Sequence, residues 1–255
     1  MACRILRTAE WTERLLHEIN YRKCKGYFLT LTYNDDNLPK DGKLKKYHLK
    51  NFLEELLYEY KLKRNKGKRR PAYYFIGEYG DRTKRPHYHG ILIGHELNSE
   101  KLYRKGNQII SDEINKYWRY GYHTVGSVTK ESCNYVTGYI RKKIINKEYK
   151  TDEFQIVSKS IGKNYLISNY DKIFKVLCDD SRKAIVPRYY KKLINDNSPM
   201  RKNIIMEKLN ERKNRNIEIN YKGNLEDYTL QEYKDMIRRQ ADNDWREKNL
   251  KKGSL

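Results

Sequence analysis

Cysteine is scarce in this chain and never closely paired. Cys3, Cys24, Cys133 and Cys178 are scattered, with no Cys-x-x-Cys spacing. That argues against a disulfide framework or a zinc knuckle and fits a reducing compartment. Long apolar runs are missing too: none approaches the ~18 residues that a bilayer span requires. The opening Met-Ala-Cys-Arg-Ile-Leu-Arg lacks the apolar centre of a signal peptide, and there are no internal repeats. The expectation is a soluble, intracellular protein without a membrane partner. Acidic residues are outnumbered, 33 Asp and Glu against 55 Lys and Arg, which leaves a net charge of +22. A field of that sign favours polyanions, and nucleic acid is the commonest of them. AT-rich coding, which enriches Lys, Asn, Ile and Tyr together, is a partial alternative cause. Phenylalanine is rare, with 5 Phe against 24 Tyr. Tyrosine stacks on bases and also donates a hydrogen bond, which suits single-stranded nucleic acid.

What is present is enough for a core. The 255 residues are 38% hydrophobic, room for one large domain or a domain with a helical extension. Trp11, Leu15, Leu16 and Ile19 predict a helix over Thr8–Tyr21, with Thr8 as its cap. Gly26–Tyr33 reads as a strand, with Thr30 and Thr32 on one face and Phe and Leu on the other. Leu49, Phe52, Leu53, Leu56, Leu57 and Tyr60 make one face of a helix over Tyr47–Lys63. Tyr73–Glu78 and His87–Ile93 predict a hairpin. Leu97–Tyr120 is mostly polar, with a short helix near its end. A strand over Tyr122–Val128 and a helix over Lys130–Ile145 follow. Apolar residues in Ile156–Val176 and Ile185–Ile194 are expected to pack on this domain. Charges dominate from Met200 to Lys252, with helical stretches at Met206–Arg215 and Leu230–Trp245. The order predicts an α+β fold of ferredoxin-like, split βαβ type: a largely antiparallel sheet flanked by helices. It divides into a domain over 1–195 and a charged, mainly helical extension over 196–255.

Two constellations carry chemistry. In Arg85-Pro-His-Tyr-His-Gly-Ile-Leu-Ile-Gly94, His87 and His89 are two apart in a strand and so share a face. The hairpin turn brings Glu78 beside them, and two imidazoles with a carboxylate suit a divalent metal. The second is Tyr135-Val-Thr-Gly-Tyr-Ile-Arg-Lys-Lys143. On a helix Tyr135 and Tyr139 are neighbours at i and i+4, and Lys142 and Lys143 extend the stripe. A tyrosine oxygen can attack a phosphodiester and form a covalent phosphotyrosine, and a pair allows cleavage and rejoining to alternate. Either motif alone also fits ordinary packing. The other histidines, His17, His48, His95 and His123, stand in contexts that suggest no chemistry.

Three motifs in this order, Phe28–Tyr33 (FLTLTY), His87-Tyr88-His89 in RPHYHG, and Tyr135–Lys143 (YVTGYIRKK), resemble those of the HUH endonucleases that initiate rolling-circle replication. The likeness is to the replication initiators of the small single-stranded DNA phages of the microvirus group, gokushovirus-like. Gly77-Glu78-Tyr79-Gly80, Pro187-Arg188-Tyr189-Tyr190, Trp11 and His17-Glu18 agree with it, and it covers residues 3–195. The resemblance implies that His87, His89 and Glu78 bind Mg²⁺ or Mn²⁺. It implies that Tyr135 and Tyr139 are the nucleophiles, with Lys142 or Lys143 as the catalytic cation. The implied substrate is single-stranded origin DNA, including a hairpin, and host helicase or replication proteins are candidate partners in the bacterial cytoplasm. The aromatic residue between the histidines departs from the usual apolar one, at a position expected to point away from the metal. Such initiators often begin with a cysteine-rich stretch; here Cys3 stands alone, and nothing of that stretch carries over. Two other readings stay open: a catalytically silent RRM-like binding module, and a transposase or relaxase of the same chemistry.

Overall fold

Two apolar layers, one on each face of a single antiparallel sheet, organise the chain. A computed structural model describes residues 2–63, 69–80, 82–98, 101–145, 152–178, 185–197, 210, 231, 232 and 235, without the side chains of 2–4, 59, 61–63 and 139–145. The elements are α1 (Ala2–Arg22), β1 (Gly26–Tyr33), α2 (Lys46–Lys63), β2 (Ala72–Tyr79), β3 (Pro86–Ile93), β4 (Leu102–Lys105) and β5 (Gln108–Ser111). They continue with α3 (Asp112–Tyr117), β6 (Gly121–Ser127), α4 (Lys130–Ile145), β7 (Phe154–Val157), α5 (Lys163–Ser168), α6 (Tyr170–Cys178) and α7 (Arg188–Asn197). The chain divides into two units, Met1–Ile173 with Ala184–Tyr190, and Phe174–Lys183 with Lys191–Leu255. Among the described residues no helix is long and apolar enough to cross a membrane. The helices expected at Met206–Arg215 and Leu230–Trp245 lie almost entirely outside the described residues.

The fold is α+β, as expected. Five strands run in the order β6-β1-β3-β2-β7, and every neighbouring pair is antiparallel. Alternation along β1 buries Leu29, Leu31 and Tyr33 on one face, where Leu49, Phe52, Leu53 and Leu56 of α2 cover them. On the other face, Tyr74, Ile76 and Ile91 pack beneath Leu15 of α1 and Cys133 and Val136 of α4. A cross-helix tie fixes α4 against α1. The Thr12 hydroxyl donates to the Asn134 side-chain carbonyl (2.8 Å) and lies 2.9 Å from the Thr137 hydroxyl.

Three expectations need correction. Thr8 does not cap α1, which starts at Ala2; its hydroxyl donates to Thr137 O (3.4 Å). Phe28 is not on the leucine face, because the two-residue pleat places it with Thr30 and Thr32. The polar stretch after Leu97 contains a hairpin, β4–β5, turned by Gly106-Asn107, with Gly106 at φ 61°. Its strands are largely exposed and leave no core alternation; the turn pair is the one legible signal. The fifth strand of the main sheet, β7, is only half-buried and falls partly outside the apolar stretch that marks its region.

Histidines without assigned chemistry are structural. His123 Nε2 accepts from Ser111 N (3.0 Å), whose side chain caps α3, and burial keeps this imidazole below its ordinary pKa. His17 stacks on Tyr165 with ring centroids 3.9 Å apart, and its Nδ1 lies 3.1 Å from the Tyr190 hydroxyl.

Two outcomes test this packing. Gly90 faces the buried Phe75 ring, and an added Cβ would collide with it. Gly90→Ala therefore lowers stability in urea unfolding by about 1–3 kcal/mol, the usual range for overpacking; an unchanged midpoint contradicts this. Burial, helped by Lys172, pulls His17 down to about 4. The unfolded imidazole takes up its proton at higher pH than the folded one. The stability it contributes is thus complete above about pH 6.5 and is lost as pH falls toward 4. His17→Gln should remove that part of the pH slope, read as the difference from wild type in unfolding titrations.

Candidate active site

Register assembles the site. In the β2–β3 hairpin Glu78 pairs directly with His87 and Ile76 with His89, so Glu78, His87 and His89 share one face. The turn is closed by Gly80 N donating to Arg85 O (3.0 Å) and Lys84 N donating to Gly80 O (3.0 Å). Glu78 is buried, and its Oε1 lies 3.4 Å from His87 Nε2 and 3.3 Å from His89 Nε2.

Both imidazoles are oriented from behind. His87 Nδ1 donates to Arg85 O (3.0 Å). A carbonyl only accepts, so the proton is on Nδ1 and the lone pair of the neutral ring is on Nε2, facing the carboxylate. His89 Nδ1 lies 3.0 Å from the Thr30 hydroxyl on β1, across the direct pair Thr30↔His89. The Phe28 ring stacks on His89 at 5.6 Å. Two nitrogen lone pairs facing one carboxylate repel unless a cation lies among them. The three donor atoms are within 4.8 Å of one another, and the set suits a divalent ion of borderline softness. This cluster could hold a metal.

Tyr135 completes the arrangement. Its hydroxyl donates to Glu78 Oε1 (2.6 Å), and its ring stands edge-on to His89 (5.2 Å) and to Phe28 (6.2 Å). The helix that carries it begins in a reciprocal cap. Ser132 N donates to Thr129 Oγ1 (3.2 Å) and Thr129 N to Ser132 Oγ (2.8 Å). Cys133 and Val136 are fully buried, which turns Tyr135, 44% exposed, to the seam between helix and sheet. Helix α4 continues through Tyr139, Lys142 and Lys143, whose side chains lie outside the described ones. Tyr88 points to the opposite face as expected. Its hydroxyl lies 2.6 Å from that of Tyr33 and donates to Lys45 O (3.0 Å), and burial pushes it up to about 12.

Sequence reasoning misses the orienting partners. Thr30 is visible only as one of two alternating threonines, and Phe28 is expected on the wrong face. The Arg85 carbonyl is backbone and carries no sequence signal.

An open α+β sheet bearing a His-His-Glu cluster with a tyrosine hydroxyl on its carboxylate is a protein of the HUH/RRM-like type. Residues 26–144, which include both histidines and both tyrosines, match the family model described as Replication-associated protein ORF2, and the chain belongs to that family. It is 30% identical over 211 residues to Replication-associated protein ORF2 of Spiroplasma virus 4, covering 74% of this chain and 64% of that one. It is 30% identical over 210 residues to Replication-associated protein VP4 of Bdellovibrio phage phiMH2K, covering 77% and 66%. It is 28% identical over 188 residues to Replication-associated protein ORF4 of Chlamydia phage 1, covering 65% and 45%. The chain therefore spans slightly under two thirds of the first two relatives and under half of the third. No solved structure matches it.

If the cluster takes a metal, Mn²⁺ raises the thermal midpoint of the chain by mass action, and EDTA reverses the gain. His87→Ala and His89→Ala each lose the response. Thr30→Val keeps it with affinity weakened about tenfold, the scale of a lost orienting hydrogen bond. An equal response in all four proteins would place the ion elsewhere.

Proposed function

We propose that the chain nicks and rejoins single-stranded DNA at a replication origin, initiating and terminating rolling-circle replication of a phage genome. The observation that carries this reading is the Tyr135 hydroxyl bonded to the carboxylate that faces two histidine nitrogens. The family and its phage relatives support it at the level of replication. His87, His89 and Glu78 would hold Mg²⁺ or Mn²⁺, which when bound supplies polarisation of the phosphate oxygens and offsets the charge developing on them.

The chain's own residues do the rest. The Tyr135 oxygen attacks phosphorus of the scissile phosphodiester, and its proton leaves toward Glu78 Oε1, to which it already points. A new O–P bond forms and the bond from phosphorus to the 3′ oxygen breaks. The products are a 5′-phosphotyrosine and, once that oxygen is protonated, a free 3′-OH that primes synthesis. Lys142 or Lys143 stabilises the charge on the leaving oxygen. Tyr139 attacks the next junction after one round of synthesis, and the 3′-OH released there closes the first phosphotyrosine. The nuclease domain is residues 1–195, and 196–255 is an extension. The setting is the bacterial cytoplasm, with host helicase or replication proteins as partners. A silent RRM-like module would have no use for a phenol bonded to a buried carboxylate. Relaxases of the larger type usually carry three histidines, and single-tyrosine transposases lack the pair.

Incubation with origin single strand and Mn²⁺, followed by denaturing electrophoresis, should yield a covalent protein–DNA adduct. The adduct is lost in EDTA, in His87→Ala and in the Tyr135→Phe, Tyr139→Phe double variant. His87→Ala should keep most of its salt-dependent binding, which rests on Lys and Arg contacts to phosphate. An adduct that persists in the double variant overturns the assignment of nucleophiles. Tight binding with no adduct on any strand favours the silent module.

A further inference from the structure

The face of the sheet that carries the histidines is covered unequally. Helix α4 packs over β2 and β3. On β1 and β6 the same face presents Thr30, Thr32, Thr124 and Tyr122, none of them buried. Their neighbours on the reverse face, Leu29, Leu31 and Val125, are buried. The polar half of this face is therefore open, beside the cluster.

Register gives the open half an axis. Thr32 pairs with Tyr122 on one side and with His87 on the other, and His87 pairs with Glu78. Directly paired residues share a face, so Tyr122, Thr32, His87 and Glu78 form one row across four strands. Tyr122 stands two strands from His87, about 10 Å at the usual interstrand spacing. Its ring is 67% exposed, and among the described residues it has no hydrogen-bond or ring partner. Its place is fixed by the backbone. Gly121 lies at φ 153°, and a Cβ there would run into the backbone of Thr32, Tyr33 and Asn34. At the His87 end of the row, the β2–β3 turn exposes Arg82 and Lys84, cations suited to phosphate.

Resting on the nicking function proposed above, we infer that this row seats the DNA strand and that Tyr122 is the platform on which a base next to the scissile phosphate stacks. An aromatic face two strands from the reacting centre, with cations at the far end, matches a chain of alternating bases and phosphates. It needs an unpaired base, which restricts the occupant to a single strand. Tyr122 is a positioning residue: it touches a neighbouring base and fixes the phosphate's register over His87 and Glu78.

The test is binding of fluorescein-labelled oligothymidylate to the full chain in EDTA, where no cleavage intervenes, followed by fluorescence anisotropy. Tyr122→Ala should weaken binding about tenfold, within the range for loss of one base–aromatic stack. Tyr122→Phe should bind like wild type, because the ring and not the hydroxyl makes the contact. An abasic site moved along the oligonucleotide should weaken wild type at one position and leave Tyr122→Ala indifferent there. Wild-type binding by Tyr122→Ala, or equal loss in the Ala and Phe variants, overturns the inference. If that happens while wild type still forms the covalent adduct, the nicking function survives. If wild type forms no adduct but binding depends on the Tyr122 ring, the nicking function falls and the stacking platform stands.

Discussion

One buried anion organises the site. The Glu78 carboxylate is 5% exposed, faces two imidazole nitrogens and accepts from the Tyr135 hydroxyl. A carboxylate taken from water is costly unless charge or hydrogen bonds compensate it. Each of its neighbours therefore has a reason to stay. The consequence reaches beyond the cluster, because Tyr135 belongs to α4 and the other two belong to β3. A single oxygen joins the helix to the sheet at the point where a reacting phosphate would need both.

Core packing protects that junction through register. A strand slipped by one residue exchanges its faces. A slip of β3 would carry His87 and His89 into the leucine layer and send Tyr88 and Leu92 out of it. Tyr88 opposes this strongly: its hydroxyl is tied to Tyr33 and to both backbone groups of Lys45. The Tyr79 hydroxyl accepts from Leu44 N (3.0 Å), so the segment before α2 is stitched to the same hairpin. The α2 face thus holds the register while the opposite face stays partly open for a ligand. Stability and chemistry lie on opposite sides of the same strands.

Whatever depends on neighbours along the chain is legible in the sequence. Alternation marks β1, β2 and β3 to within a residue or two, and apolar periodicity marks α2 and α4. Pairing Glu78 with two histidines needs only a short turn, so that cluster is within reach of sequence reasoning. What stays hidden depends on distant contacts. Thr30 orients His89 from 59 residues away, and Thr12 locks Asn134 from 122 away. Strand β7 gains its identity only by pairing with β2. Phe28 misleads for a different reason: its hydrophobicity suggests the leucine face, although the two-residue period of a strand puts it beside Thr30.

The rotational setting of α4 is the least sequence-evident feature and decides what the tyrosines can do. A helix over Lys130–Ile145 is legible, but which of its faces meets the sheet is not. Burial of Cys133 and Val136, with the Thr12–Asn134–Thr137 tie, selects one rotation, and that rotation delivers Tyr135 to Glu78. A residue four positions on lies about 6 Å along the axis and ~40° around it. On the proposed two-tyrosine reading, a second attack therefore requires a strand, or the helix, to shift by about one turn. The sheet and its cluster can stay fixed throughout. The α1–α4 tie involves Thr8, Thr12, Asn134 and Thr137, and its α4 members lie on the N-terminal side of position 139, so it anchors the first tyrosine's turn directly. The difference between the two nucleophiles would then arise from how firmly each turn of one helix is held, with no need for two separate sites.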